Sequence, residues 1–258
     1  MTESSSVPPS APPSALPRAR RALAPEIMDG DLPYQEARRA LTDLDRVTRW
    51  LLGTGSLVRT LARRLSAPPR GGSEEEAPLR VLDLGTGSGR PAAVLARAAR
   101  RRGARLRVVG VDLRLGHLLV GRALGNGQQR VVASAEALPF RDGAFDWAFS
   151  TLFFHHFGGR ENLAILGEMR RAARRGVAVI DLRRSRLAVT LARLLFPILG
   201  VGRVARHDGY LSIAQSWTRA EVAELVGRVG GLEIEELRRR FPFRWSLVVR
   251  ADEGPADP

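Results

Sequence analysis

Cysteine is absent from the 258-residue sequence. That excludes disulfides, thiolate metal sites and a cysteine nucleophile. Lysine is absent as well, so all 41 basic residues are arginine, and a Walker-type phosphate loop, which needs its lysine, is excluded. Long apolar runs are missing too. The longest, Leu187 to Val201, is broken by Arg193 and Pro197 and falls short of the roughly 20 residues that cross a bilayer. No apolar stretch follows Arg20-Arg21, which argues against a secretory or twin-arginine leader. A bacterial-type cytoplasmic location is the default expectation.

Against 41 basic residues stand 27 acidic ones, giving a formal charge of +14. Such a balance ordinarily points to nucleic acid. Here the arginines are scattered, in Arg100-Arg101-Arg102, Arg170-Arg171, Arg174-Arg175 and Arg238-Arg239-Arg240. With abundant Ala, Gly, Leu and Pro, the all-arginine usage reads as GC-rich coding. Solvated helix faces are therefore favoured over a dedicated polyanion groove.

The chain divides by composition. Residues 1–24, rich in Pro, Ser and Ala, read as a disordered tail. Residues 25–77 are expected to form a helical lid and linker. Ala37, Leu41, Leu44, Val47 and Leu51 recur at helical spacing over Tyr34–Leu52, a second helix is predicted over Ser56–Leu65, and Pro, Gly and Glu clusters mark a linker over Ser66–Ala77.

From residue 78 onward, strands alternate with helices. Short aliphatic runs predict strands at Leu79–Leu84, Arg107–Asp112, Arg130–Ala133, Phe145–Ser150 and Gly176–Asp181. Helices are predicted from Pro91 to Arg102, through Leu124, and from Arg160 to Arg174. This alternation implies a parallel, doubly wound α/β sheet. A helical insertion is expected over about 183–218, including an apolar helix at Leu187–Leu199. After it, Thr218 and Glu221 form a capping box. Two strand-like runs, Leu232–Arg239 and Phe243–Arg250, then predict an antiparallel terminal hairpin turning at Phe241-Pro242.

The chemistry-bearing signal is Val81-Leu82-Asp83-Leu84-Gly85-Thr86-Gly87-Ser88-Gly89. Glycines alternating after a buried strand let the backbone approach a ligand closely before a helix begins. The spacing is G-x-G-x-G, with Arg90 where the dinucleotide fingerprint has its third glycine. Asp112 ends the next strand, 23 residues beyond Gly89. There a carboxylate can accept both hydroxyls of a ribose, or simply cap the following helix.

A third element is Ser134-Ala135-Glu136-Ala137-Leu138-Pro139-Phe140, followed by Asp142-Gly143-Ala144-Phe145-Asp146. Together, the three resemble the class I S-adenosylmethionine (SAM)-dependent methyltransferases, and within them the type 11 group that includes ubiquinone and menaquinone C-methyltransferases. The resemblance covers roughly residues 79–182. It implies a Rossmann-like sheet of seven strands, mostly parallel with a C-terminal antiparallel hairpin, helices on both faces and a helical lid.

The resemblance also implies SAM as cofactor. Asp83, Gly85 and Gly87 would line its methionine moiety, and Asp112 its ribose. Ala135 and Glu136 would lie beside the adenine, with Ser150 and Thr151 at the sheet edge below. Thr86, Gly89, Leu113 and Ser134 complete the implied cofactor set. Ser134 departs from the family, which usually has an aspartate there, although serine still accepts a hydrogen bond.

The acceptor is less constrained. His155 and His156 follow the fourth strand at the carboxyl edge, where they either line an acceptor pocket or take part in catalysis. His207-Asp208 reads either as an oriented general base or as an Asp-Gly turn with an exposed neighbour. Leu191, Leu194, Leu195, Phe196, Ile198 and Leu199 suit core packing, a hydrophobic acceptor, or a membrane-surface helix. The expected partner is a small hydrophobic acceptor: a phenol, quinol or polyketide-like molecule. RNA is the alternative substrate, and a non-catalytic SAM-binding partner protein is the alternative class. Cytosine-5 methylation is excluded, because it needs a cysteine. No His/Asp/Glu group has metal-ligand spacing in the sequence, so no metal is expected. Oligomeric state is not legible.

Overall fold

The computed structural model describes residues 23–50, 54–65 and 77–251. The predicted 66–77 linker and the 1–24 tail lie almost wholly outside them. Ala24 is an exception, since its N–H donates to Gln215 Oε1 at 3.2 Å.

The chain enters through a 3₁₀ turn at Ile27–Asp29, then α1 (Tyr34–Trp50) and α2 (Thr54–Leu65). Alternating elements follow: β1 (Leu79–Leu84), α3 (Arg90–Arg100), β2 (Leu106–Asp112), α4 (Leu115–Ala123), β3 (Gln129–Val132), β4 (Phe145–Thr151), a 3₁₀ turn at Phe154–His156, α5 (Gly159–Ala172) and β5 (Ala173–Leu182). Then come α6 (Arg186–Ile198), α7 (Arg203–Gln215), α8 (Arg219–Val226), β6 (Leu232–Arg240) and β7 (Arg244–Ala251). The seven strands form one sheet ordered β3-β2-β1-β4-β5-β7-β6. β1 to β5 pair in parallel, while β7 runs antiparallel between β5 and β6. The strand order reverses between β1 and β4, so the ligand crevice of such a sheet opens beyond the carboxyl ends of those two strands.

Period-two alternation divides the strand side chains between two cores. Leu82, Leu84, Val177, Val179, Leu247 and Val249 meet α5 and α8 through Ile165, Leu166, Met169, Val222 and Leu225. Val81, Val108, Phe149, Ala178 and Val248 face the other way, against Ala92 and Leu95 of α3 and Val58, Leu61 and Ala62 of α2. The helix expected as the lid's second member is therefore part of the sheet's own packing. α1 instead contacts α4 and α7 and stands above the carboxyl edge. A third core joins α6 and α7 through Ala188, Ala192, Phe196, Ala205 and Ile213, together with Val47 and Leu182.

Two segments differ from the sequence expectation. Ala173 and Arg174, predicted as the end of a helix, open β5 instead, because Ala173 pairs with Phe145 and Arg174 reaches the buried Asp146 carboxylate at 2.9 Å. Residues 206–210 are helical rather than a turn. Asp208 directs its carboxylate at the N-terminal 3₁₀ turn, where it accepts the N–H groups of Ile27 and Met28, both at 2.9 Å. It thereby straps the N-terminal segment onto α7.

Gly176 tests the tight seam between β4, β5 and β7. A Cβ there would lie 2.3 Å from the Val249 carbonyl oxygen and 2.8 Å from the Trp147 ring. Backbone on one side and a packed ring on the other leave no room to yield. Gly176→Ala is expected to destabilise the fold by about 3 kcal/mol, read as a lower urea midpoint with an unchanged m-value.

Candidate cofactor and acceptor site

The glycine loop takes its shape from what surrounds it. Gly85 leaves β1 with φ 66°, and a Cβ there would fall 2.2 Å from the Phe153 ring. Both the left-handed backbone and the ring exclude a side chain. The loop is tied to β2 by Thr86 N–H donating to Val111 O and by Gly87 N–H donating to Asp112 Oδ2, each at 2.9 Å. Asp112 Oδ1 accepts from Arg114 N–H at 2.9 Å. Each carboxylate oxygen keeps lone-pair capacity for a further donor.

Beneath the loop Asp83 is fully buried and accepts from Thr86 Oγ1 at 2.5 Å. Its other oxygen, Oδ1, has no hydrogen-bond partner among the described residues. Burial pushes this carboxyl up to about 7, against the Thr86 hydrogen bond.

Above the crevice lies a cavity of about 340 Å³. From the predicted cofactor set, Gly85, Thr86, Gly87, Asp112, Leu113, Ser134, Ala135, Glu136 and Thr151 line it. Asp83, Gly89 and Ser150 do not. Asp83 lies under the loop, Gly89 caps α3 in the left-handed region, and Ser150 is buried with its hydroxyl donating to Leu84 O at 3.0 Å. Ser134 Oγ accepts the Glu136 N–H at 3.2 Å, so the residue replacing the family's aspartate shapes the turn at the cavity wall.

A second cavity of about 80 Å³ shares Met28, Leu44, Thr48, Leu152 and His156 with the first. Its far wall is largely apolar, with Val47, Leu182, Phe196, Val201, Ala205 and Ile213. Leu152, at the junction, has φ 55°, a backbone conformation uncommon outside glycine. The turn after it is pinned by Asn162, whose Nδ2 donates to Phe154 O at 2.9 Å and Phe157 O at 3.0 Å. Trp217 Nε1 donates to Phe154 O at 3.1 Å.

That turn delivers His155 and His156. His155 Nδ1 lies 2.7 Å from Asp181 Oδ1, and its backbone N–H donates to Asp181 Oδ2 at 3.1 Å. Asp181 is fully buried. Burial alone would raise its carboxyl, but His155 and the Leu182 N–H hold it below the ordinary value. The other ring nitrogen, Nε2, lies 3.8 Å from Glu26 Oε1. His156 Nδ1 meets Asp29 at 3.2 Å and Glu26 at 3.9 Å. Burial disfavours its charge, yet Asp29, Glu26 and Asp181 outweigh burial and push it up to about 9.

Glu26, His155 and His156 bring ligand-type atoms within 4.8 Å of one another, a grouping invisible in sequence because Glu26 is far from the histidines. The expectation that no such cluster exists does not hold in three dimensions. Several of its polar atoms already have other partners, however. Glu26 Oε1 accepts from Ser212 Oγ at 2.6 Å and Gln215 Nε2 at 3.0 Å, and both histidine Nδ1 atoms face aspartates. The arrangement reads as a hydrogen-bonded network rather than a vacant coordination sphere.

His207 is placed differently from the expectation. It touches Asp208 at 2.9 Å, but its side chain is 54% exposed and lines neither cavity. On a helix, successive side chains diverge by about 100°. Asp208 points inward to the 3₁₀ turn and lines the smaller cavity, while His207 points to solvent. Tyr210 stacks on Phe196 with ring centroids 5.7 Å apart.

The sequence reading missed Asp45. On α1 it lies beside Leu41 and Leu44 on the apolar face, lines the larger cavity and accepts the Ser88 hydroxyl at 2.9 Å. Burial pushes it up to about 6, with the Ser88 hydrogen bond opposing. A carboxylate on a helix's apolar stripe was the available signal. Glu26 had no such signal.

Comparison with known proteins matches residues 82–180 to a family model described as a methyltransferase domain. Over 112 residues the chain is 37% identical to a demethylmenaquinone methyltransferase of Thermus thermophilus, a match covering 42% of this chain. The matched stretch spans about half that relative, 48% of its length. Among solved structures, the plantazolicin methyltransferase in complex with SAH superposes with TM-score 0.58 at 11% identity, covering 85% of this chain and 97% of that one. The magnesium protoporphyrin IX methyltransferase of Synechocystis PCC 6803 with bound SAH gives TM-score 0.56 at 17% identity, covering 84% and 99%. At such identities these structures establish the shared fold alone. Residues 82–180, which carry the glycine loop and strands β2 to β5, thus match a methyltransferase-domain model, and the chain shares its fold with SAM-dependent methyltransferases of known structure.

Proposed function

We propose that the protein transfers a methyl group from SAM to a small hydrophobic acceptor of the phenol, quinol or polyketide type. The observation that carries this reading is the pair of adjoining cavities. One is walled by the glycine loop and Asp112; the other is largely apolar and holds His155, and His156 lines both.

The residues present fit the cofactor. Asp112 offers two acceptor oxygens at the tip of β2 for the ribose hydroxyls. Val111, Leu113, Ala133 and Ala135 wall the adenine end. Asp45 lies beside Gly87 and Ser88 in the cavity lining, where a carboxylate suits the cofactor's ammonium. When bound, SAM supplies a methyl group already activated on a sulfonium, so the protein's task is in-line positioning and exclusion of water.

The two histidines divide the remaining work. Held by Asp181 through Nδ1, His155 lines the smaller cavity, where its ring acts as the base for an acceptor hydroxyl. His156, kept protonated at neutral pH, donates to an acceptor oxygen instead.

Calorimetric titration with SAM tests the cofactor half of this reading. Saturable binding is expected, with Asp112→Ala weakening it roughly thirty-fold, the worth of a charge-assisted hydrogen bond. Absence of binding at millimolar SAM overturns the assignment. Turnover of SAM to S-adenosylhomocysteine with a panel of hydrophobic phenols tests the acceptor half. His155→Gln is expected to lower kcat by about 100-fold or more at neutral pH, with the loss smaller for acceptors that are already ionised.

The same groups make stability depend on pH. Asp45 at about 6, Asp83 at about 7 and His156 at about 9 each hold a proton more tightly in the fold than the ordinary values of 3.8, 3.8 and 6.5. The folded state therefore binds more protons, and stability falls as pH rises between about 4 and 9. Asp45→Asn is expected to raise the Tm at pH 8, by up to about 3 kcal/mol of stability, while weakening SAM binding. A variant that loses both stability and affinity would show that Asp45 is structural.

A further inference from the structure

Helix α6 is apolar on two opposite sides. Ala188, Ala192 and Phe196 are buried against α7 and the second cavity. On the far side Leu187 is 60% exposed, Leu191 37%, Leu194 61% and Ile198 80%. These four residues follow an i, i+4, i+7, i+11 spacing, which at 3.6 residues per turn holds them within an arc of about 60°. Leu195 and Leu199, at 38% and 43%, widen the stripe. A contiguous exposed leucine row of this kind is rare on a soluble surface unless something covers it.

The charge around the stripe says what that is. Residues 182–207 contain six arginines, Arg183, Arg184, Arg186, Arg193, Arg203 and Arg206, and no aspartate or glutamate. Arg184 pairs with Glu221 at 2.6 Å. Arg186, Arg193 and Arg203 are exposed, and among the described residues none of these three enters an ion pair. On the helix, Arg186 and Arg193 fall together on one flank of the leucine row. A protein partner would need a greasy groove rimmed by acids. An anionic bilayer supplies both parts over any footprint, with acyl chains for the leucines and phosphates for the arginines. At 13 residues, α6 is about 20 Å long, too short to span the roughly 30 Å hydrocarbon layer, and no described helix is long and apolar enough to cross a membrane.

We propose that α6 docks in the plane of an anionic lipid surface, with Leu187, Leu191, Leu194 and Ile198 among the acyl chains and Arg186, Arg193 and Arg203 at the phosphates. The opposite side of the same helix contributes Phe196 to the wall of the smaller cavity, which would place the acceptor site close to the lipid surface. That last link rests on the proposed methyl transfer; the docking itself does not.

The experiment is co-sedimentation of the full chain with phosphatidylcholine vesicles, with and without phosphatidylglycerol. Binding to the anionic vesicles is expected to weaken roughly thirty-fold in Arg186→Ala/Arg193→Ala and at least as much in Leu194→Asp/Ile198→Asp. Both variants alter exposed positions and should keep the parent's Tm. Three results overturn the proposal: no binding to anionic vesicles, equal binding by parent and variants, or a dimer that Leu194→Asp/Ile198→Asp dissociates, which would make a second copy the cover. The assay uses no cofactor, so vesicle binding by a chain that fails to bind SAM would leave this inference standing while removing the proposed reaction.

Discussion

Much of the site hangs on one buried carboxylate at the tip of β5. Asp181 is fully buried and would be costly there as an isolated charge. It is tolerated because its two oxygens take the His155 ring, the His155 N–H and the Leu182 N–H, with the buried Arg244 guanidinium of β7 close enough to favour the negative charge. Those contacts join β5, β7 and the turn after β4 at one point. They also fix which nitrogen of His155 faces the smaller cavity, so a requirement of folding doubles as a choice of tautomer.

The cofactor end is organised on the same logic around Asp112. A carboxylate that holds two backbone N–H groups of its own loops is oriented before any ligand arrives, which limits the ordering that binding must supply. Asp83 and Asp45 lie in the opposite condition, buried with weak compensation. Their raised values mean that a cationic ligand beside them would favour the charged form. Local instability at a binding site combined with rigidity around it is the usual division in a scaffold that must recognise charge.

What could be read from the sequence followed the length scale of the interaction. The glycine loop, the strand alternation, the Thr218 capping box and the antiparallel hairpin are encoded over a few consecutive residues, and all are present in the fold. Asp112 required only one strand and one spacing. By contrast, Glu26 reaches His155 across more than a hundred residues, through a segment strapped down by Asp208, Ser212 and Gln215. Nothing local near Glu26 announces that. His207-Asp208 was misleading for a related reason. The two side chains do meet, at 2.9 Å, but Asp208 turns inward to a distant backbone while His207 faces solvent. α2 was grouped with the lid because it precedes the linker, whereas Val58, Leu61 and Ala62 belong to the sheet's core.

The inserted helix carries that lesson further, because composition alone left its apolar residues open to three uses. The fold assigns them by face. Residues on one side, Ala188, Ala192 and Phe196, are small or aromatic and fill the space against α7, where shape complementarity selects them. Those on the other side are nearly all leucine or isoleucine and stay 37 to 80% exposed. Selection for internal packing cannot maintain an exposed row, and solubility works against it. The arginine-only charge of the same stretch therefore gains meaning that the global net charge lacked. Arg186, Arg193 and Arg203 enter no ion pair among the described residues, whereas Arg184 of the same stretch is held by Glu221 and Arg174 by Asp146.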